Sequence, residues 1–148
     1  MLGEQSNHIR PMFIVAAAAV GIAGIVFGVV EHRAPTEHWS IEAIRSEYTR
    51  IRLPSGSRPL GQLDTLVKYG VTAVSGRYGM SNANINVLTH YRAELTVNGW
   101  SYLGDFLAGG HSGASYCKKK VLARVELLSA GEYAFSMSWG DVSERQCP

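Results

Sequence analysis

From Met12 to Val30 the chain carries an unbroken run of Met, Phe, Ile, Val, Ala and Gly, with no charged or polar side chain. As a helix rising about 1.5 Å per residue, the run reaches roughly 28 Å, close to the hydrocarbon thickness of a bilayer. It is apolar on every side, and a domain made from the rest of the chain is too small to bury it as a core helix. The run therefore predicts a transmembrane anchor over 12–30, after a cytoplasmic tail over 1–11. A linker over 31–38 and an extracytoplasmic domain over 39–148 would follow. A cleaved signal peptide is the competing expectation, since Arg10 precedes the run. Against cleavage, the run exceeds the usual apolar region of about 7–15 residues, and Glu31-His32-Arg33-Ala34-Pro35 is not a small-x-small site.

Charge does not settle which side of the membrane the domain faces. Arg33, Arg45 and Arg50 follow the run, whereas only Arg10 and the amino terminus precede it. The formal net charge is +2 with 18% charged residues, which is no field for binding nucleic acid. The sixteen glycines fall mostly where strand patterns stop, which favours a turn-rich sheet domain over a helical bundle.

Within the domain, Ser40 is a candidate N-cap for a helix through about Glu47, with Ile41, Ile44, Tyr48 and Ile51 at helical spacing. Tyr48 to Leu53 also alternates as a strand would, and a strand is expected there. Pro54 to Pro59 reads as a loop, and Leu60 to Tyr69 fits either a helix or a strand. Val71 to Tyr78 alternates cleanly and stops at Gly79. Ser81 or Asn82 would then cap the main helix, whose face is Ile85, Leu88, Tyr91 and Leu95. Its end is specified too: Gly99 suits the left-handed position and Trp100 the following residue, packing back on Leu95. Strands are expected over Trp100–Phe106, Ala114–Ser129 and Tyr133–Trp139, with a turn at Ala130-Gly131.

Pairing the last hairpin across that turn sets Cys117 opposite about residue 144, three positions from Cys147. A disulfide between Cys117 and Cys147 would close a loop of about thirty residues and stabilise the domain by roughly 3 to 4 kcal/mol. It would also indicate an oxidising compartment, placing the domain outside the membrane.

Motifs for chemistry are sparse. The two histidines within the domain, His90 and His111, do not fall at a ligand spacing, so no metal is expected. Gly110-His111-Ser112-Gly113-Ala114 approaches a nucleophile elbow but lacks the final glycine and the following helix. It reads better as a hairpin loop. No phosphate-binding loop is present, and no cofactor is expected. Lys118-Lys119-Lys120 is the one charge run, read either as a solvated edge or bulge that blocks aggregation or as a surface for an acidic partner.

Tyr91-Arg92-Ala93-Glu94-Leu95-Thr96-Val97-Asn98-Gly99-Trp100, with Tyr116-Cys117-Lys118 further on, resembles a loose type of small membrane-anchored bacterial proteins. In these a helix ending in Leu-x-x-x-Gly-Trp feeds a short meander. The resemblance covers about Val71 to Trp139 and carries over no catalytic residue.

The expected fold is α+β: an N-terminal transmembrane helix, then a three- or four-stranded, mostly antiparallel sheet packed against one main helix. The expected function is non-enzymatic. The domain would bind a protein partner in the envelope of a bacterial cell, at the inner membrane, as a subunit of a complex or a neutraliser of an incoming toxin. The alternative is a small envelope hydrolase using His111, Ser112 and Asp105.

Overall fold

The computed structural model describes residues 38–81, 85–129 and 131–148, which belong to one unit from His38 to Pro148. The expected anchor at 12–30 lies outside the described residues. Among those described, no helix is long and apolar enough to cross a membrane.

In chain order the elements are α1 (Ile41–Arg50), β1 (Ser57–Pro59), β2 (Asp64–Lys68), β3 (Val71–Met80) and α2 (Val87–Val97). Then come β4 (Ser101–Ala108), β5 (His111–Lys118), β6 (Val121–Ser129), β7 (Glu132–Trp139) and α3 (Asp141–Gln146). All seven strands are antiparallel in one sheet of order β1-β3-β7-β6-β5-β4, and β2 joins β1 along the outer side of β3. This corrects the expected α+β fold. The domain is mostly sheet, with seven strands instead of three or four, and two short helices share the cover expected of one.

Three misreadings account for the difference. Tyr48 to Leu53 is not a strand. Ile44, Tyr48 and Ile51 are all buried, and a strand would have sent Tyr48 and Ile51 to opposite faces. The residues 114–129 are two strands, because the chain reverses at Lys119-Lys120 with φ of +47° and +63°. A two-residue turn with both φ positive usually holds Asn-Gly, so two lysines gave no turn signal. The ambiguous stretch 60–69 holds β2, whose five residues are all exposed and so lack an inward apolar period.

The helices follow their local signals more closely. The Ser40 hydroxyl accepts the Ala43 N–H at 3.2 Å, capping α1. Asn86, not Ser81 or Asn82, caps α2, its side chain accepting the Thr89 N–H at 3.0 Å. At the other end of α2 Gly99 sits at φ +81°, the Trp100 N–H donates to the Leu95 carbonyl and the Gly99 N–H to that of Thr96, each at 3.0 Å. These two bonds make a Schellman motif, which the left-handed glycine permits without strain.

The register sorts the sheet into two faces. Val74, Tyr78, Ala114, Tyr116, Ala123, Val125, Tyr133, Phe135 and Met137 point to one side, under α1 and α2. Tyr48 stacks on Phe135 with ring centroids 4.8 Å apart, and Tyr91 from α2 meets the same ring at 4.7 Å. The opposite face carries Ala73, Ser75, Ala134, Ser136 and Ser138, small enough for α3 to lie against its end.

Candidate functional site

β3 places Gly76 on the helix-covered face, between the buried side chains of Val74 and Tyr78. A side chain at 76 has no room. Its Cβ would stand 2.7 Å from both the Tyr48 and the Tyr78 hydroxyl and 2.9 Å from a Leu63 methyl. Glycine inside a strand often marks such a close approach. Above the paired hydroxyls opens a cleft of about 300 Å³, walled by Ile51, Leu53, Pro59 and Leu63 and rimmed by Thr49. Its volume is at the small end of ligand pockets.

The hydroxyl hydrogens around this cleft are committed. Tyr48 donates to the Phe135 carbonyl at 3.2 Å, and the two tyrosine oxygens lie 2.9 Å apart, which leaves Tyr78 as the donor to Tyr48. Thr49 donates back to the carbonyls of Arg45 and Ser46, both at 3.1 Å. Burial, with the Tyr78 hydroxyl second, pushes the Tyr48 pKa far above that of a free phenol. Tyr48 thus stays neutral, and the two oxygens of the floor offer lone pairs.

Beside the cleft, the segment after α1 is tied to α2. The Arg52 guanidinium donates three bonds to the two Glu94 oxygens, at 2.9 to 3.2 Å, and the Arg52 N–H adds a fourth. These bonds hold the Glu94 carboxyl below its ordinary pKa, the side-chain bonds to Arg52 contributing most. His90 closes the clamp with its Nε2 at 2.8 Å from the Arg52 carbonyl.

The residues singled out from sequence lie elsewhere. Cys117 and Cys147 form a disulfide with Cα atoms 5.5 Å apart, on the sheet face away from the cleft. The pairing is as expected, but its geometry is not. Cys117 is on β5, so residues near 144 do not oppose it, and Cys147 arrives over the back of the sheet through α3. Lys118 turns inward, its ammonium bonded to the Glu47 carboxylate and, at 2.9 Å, to the Asn98 carbonyl. The Trp100 indole N–H donates to the same carboxylate at 3.3 Å. Lys119 and Lys120 occupy the exposed hairpin turn, neither an edge nor a bulge. Leu95 and Trp100 are in the core and Gly99 ends α2.

His111, Ser112 and Asp105 do not converge. Successive strand residues face opposite ways, so His111 and Ser112 are separated by the sheet. His111 Nδ1 lies 3.2 Å from the Leu127 carbonyl, and Asp105 pairs with Arg92 at 3.4 Å. Among the described residues, no group of three or more His, Cys, Asp or Glu could hold a metal ion.

Sequence reasoning passed over Tyr48, Leu63, Gly76 and Tyr78 as a site. The one available signal was Gly76 at an inward position of an alternating strand. Its meaning depends on Tyr48, which another element supplies. No protein-family model, no curated protein and no solved structure matches this chain.

Proposed function

We propose that the chain is a non-enzymatic protein-binding module, held at the extracytoplasmic face of a bacterial inner membrane by its apolar segment 12–30. The partner docks on residues 60–69 and the cleft behind them. One observation carries this reading: Leu60, Leu63, Leu66, Val67 and Tyr69 are all large, apolar or aromatic, and exposed within ten residues, with Val67 at 68% and Tyr69 at 92%. Scattered exposed apolar residues are ordinary, whereas five gathered at one sheet edge, with Leu63 and Val67 toward the cleft and Leu66 on the other face, suit an interface. The free side of β2 also offers backbone groups to which an extended partner segment can add as a strand. The Cys117–Cys147 bond supports an oxidising location, and the length of the apolar run supports attachment to the bilayer.

A photo-crosslinking residue at Val67 in intact cells tests the docking surface, with the same residue at Leu107 on the opposite edge as control. A single adduct of defined mass at 67, absent at 107 and lost on Leu66→Lys, is expected. Identical adducts at both positions, or none at 67, would remove the surface.

A further inference from the structure

The cleft over Gly76 is selective in a way that its apolar walls do not reveal. Tyr48 and Tyr78 are each 4% exposed, and both hydroxyl hydrogens are spent, one on the Phe135 carbonyl and one between the pair. Thr49 spends its own on the helix. Arg77, which borders the cleft, sends its guanidinium to Glu132 at 3.3 Å on the other face of the sheet. Among the described residues that line it, an anion therefore finds no free side-chain donor. Among the described residues no Asp or Glu lines the cleft, so a cation finds no counter-charge and would lose its hydration uncompensated. What complements an acceptor-only, neutral floor between aliphatic walls is a neutral ring carrying one donor.

We infer that the cleft takes one tyrosine or tryptophan side chain of the docked protein, its O–H or N–H directed at the Tyr48 and Tyr78 oxygens. The source rests on the docking surface proposed above: Leu63 both walls the cleft and stands exposed beside β2, so the two are continuous. The volume suits a single ring. Aromatic anchors in desolvated pockets commonly dominate protein interfaces.

The test uses the full chain in lipid nanodiscs, with methyl resonances of Leu53 and Leu63 followed by NMR against a lipid-only blank. The probes are p-cresol and 3-methylindole, which carry the donor, and 4-methylanisole and toluene, which do not. The donor-bearing probes should bind at least about fivefold tighter than their counterparts. Tyr78→Phe keeps the ring but removes an acceptor, and should reduce that preference. Tyr48→Phe frees the Tyr78 hydrogen to point into the cleft, and should raise the affinity of 4-methylanisole relative to p-cresol. Equal binding of p-cresol and 4-methylanisole by the unaltered chain overturns the donor assignment, and no saturable shift with any probe overturns the cleft as a site. Neither result touches the crosslink at Val67, so the docking surface and the cleft ligand fail separately.

Discussion

At one edge of the sheet β4 is bent by a bulge between Tyr102 and Gly104, and the Arg92 guanidinium lies 4.3 Å from the Tyr102 ring while also reaching Asp105. At the other, β2 runs in regular register along β3 for five pairs, with Leu66 and Val67 open to solvent. Both edges carry apolar residues. On β4 the bulge and the overlying cations, including Arg124 at 5.0 Å from Phe106, interrupt the strand as a pairing template. β2 has charge only at its ends, Asp64 and Lys68. Next to the guarded edge the chain is also cross-linked, since Cys117 is on β5, the neighbour of β4. The unguarded edge relies on the Arg52–Glu94 clamp and on the packing above Gly76. An edge left open where its counterpart is closed suits docking.

Removing the staple should affect the guarded side most. Cys117→Ser with Cys147→Ser is expected to cost about 3 to 4 kcal/mol in denaturant unfolding, for a closed loop of 30 residues. Exchange protection should fall further in β5 and β6 than in β2. Equal stability with and without reductant would show that the bond contributes nothing to this difference.

The next largest effect belongs to the open side. Gly76→Ala drives a methyl against two hydroxyls and should cost about 1 to 3 kcal/mol. Its loss should concentrate in β1, β2 and the end of α1. A variant as stable as the parent would mean that the hydroxyls are not held over residue 76.

Acid should loosen the same side. Arg52 depresses the Glu94 pKa below its ordinary 4.5, so the folded form binds fewer protons than the unfolded one there. That stabilisation is complete above the unfolded value and is lost as pH falls through the folded one. Because Arg52 is mostly exposed, the amount is about 0.5 to 1 kcal/mol. Glu94→Gln should remove this part of the pH dependence below 4.5, read from Tm against pH. An unchanged slope would assign the acid sensitivity elsewhere.

The smallest effect separates the edges most directly. Val67→Lys should change stability by less than about 0.5 kcal/mol, as for exposed sites without special contacts, while abolishing partner binding. Arg92→Ala, which uncovers Tyr102, should cost about 0.5 to 1 kcal/mol and leave partner binding intact. If Arg92→Ala weakened the partner and Val67→Lys did not, the assignment of the two edges would be reversed.

Much of the local structure was legible before folding. The end of α2 is written in Leu95, Gly99 and Trp100, because a Schellman motif is closed by bonds within six residues. The period-two pattern of Tyr133, Phe135, Met137 and Trp139 needed only one buried face, and all four are buried. The cysteine pairing was also legible, although the register used to reach it was not that of the molecule. The strand count was less so, since β2 buries none of its residues and the Lys119-Lys120 turn lacks the usual glycine.

The chain by itself determined the Ser40 cap of α1, the Gly99 end of α2, its last hairpin and the chemical means for a disulfide, because each depends on neighbours a few residues apart. Tertiary structure decided that Tyr48 is helical, that Cys147 returns behind the sheet and that Lys118 serves Glu47 instead of the surface. It also decided that Gly76 is a floor. A missing side chain becomes a site only when Tyr48, twenty-eight residues earlier, and Tyr78 beside it place their hydroxyls in the space it leaves. No local pattern records that meeting, because the burial that enforces it is shared between a helix and a strand.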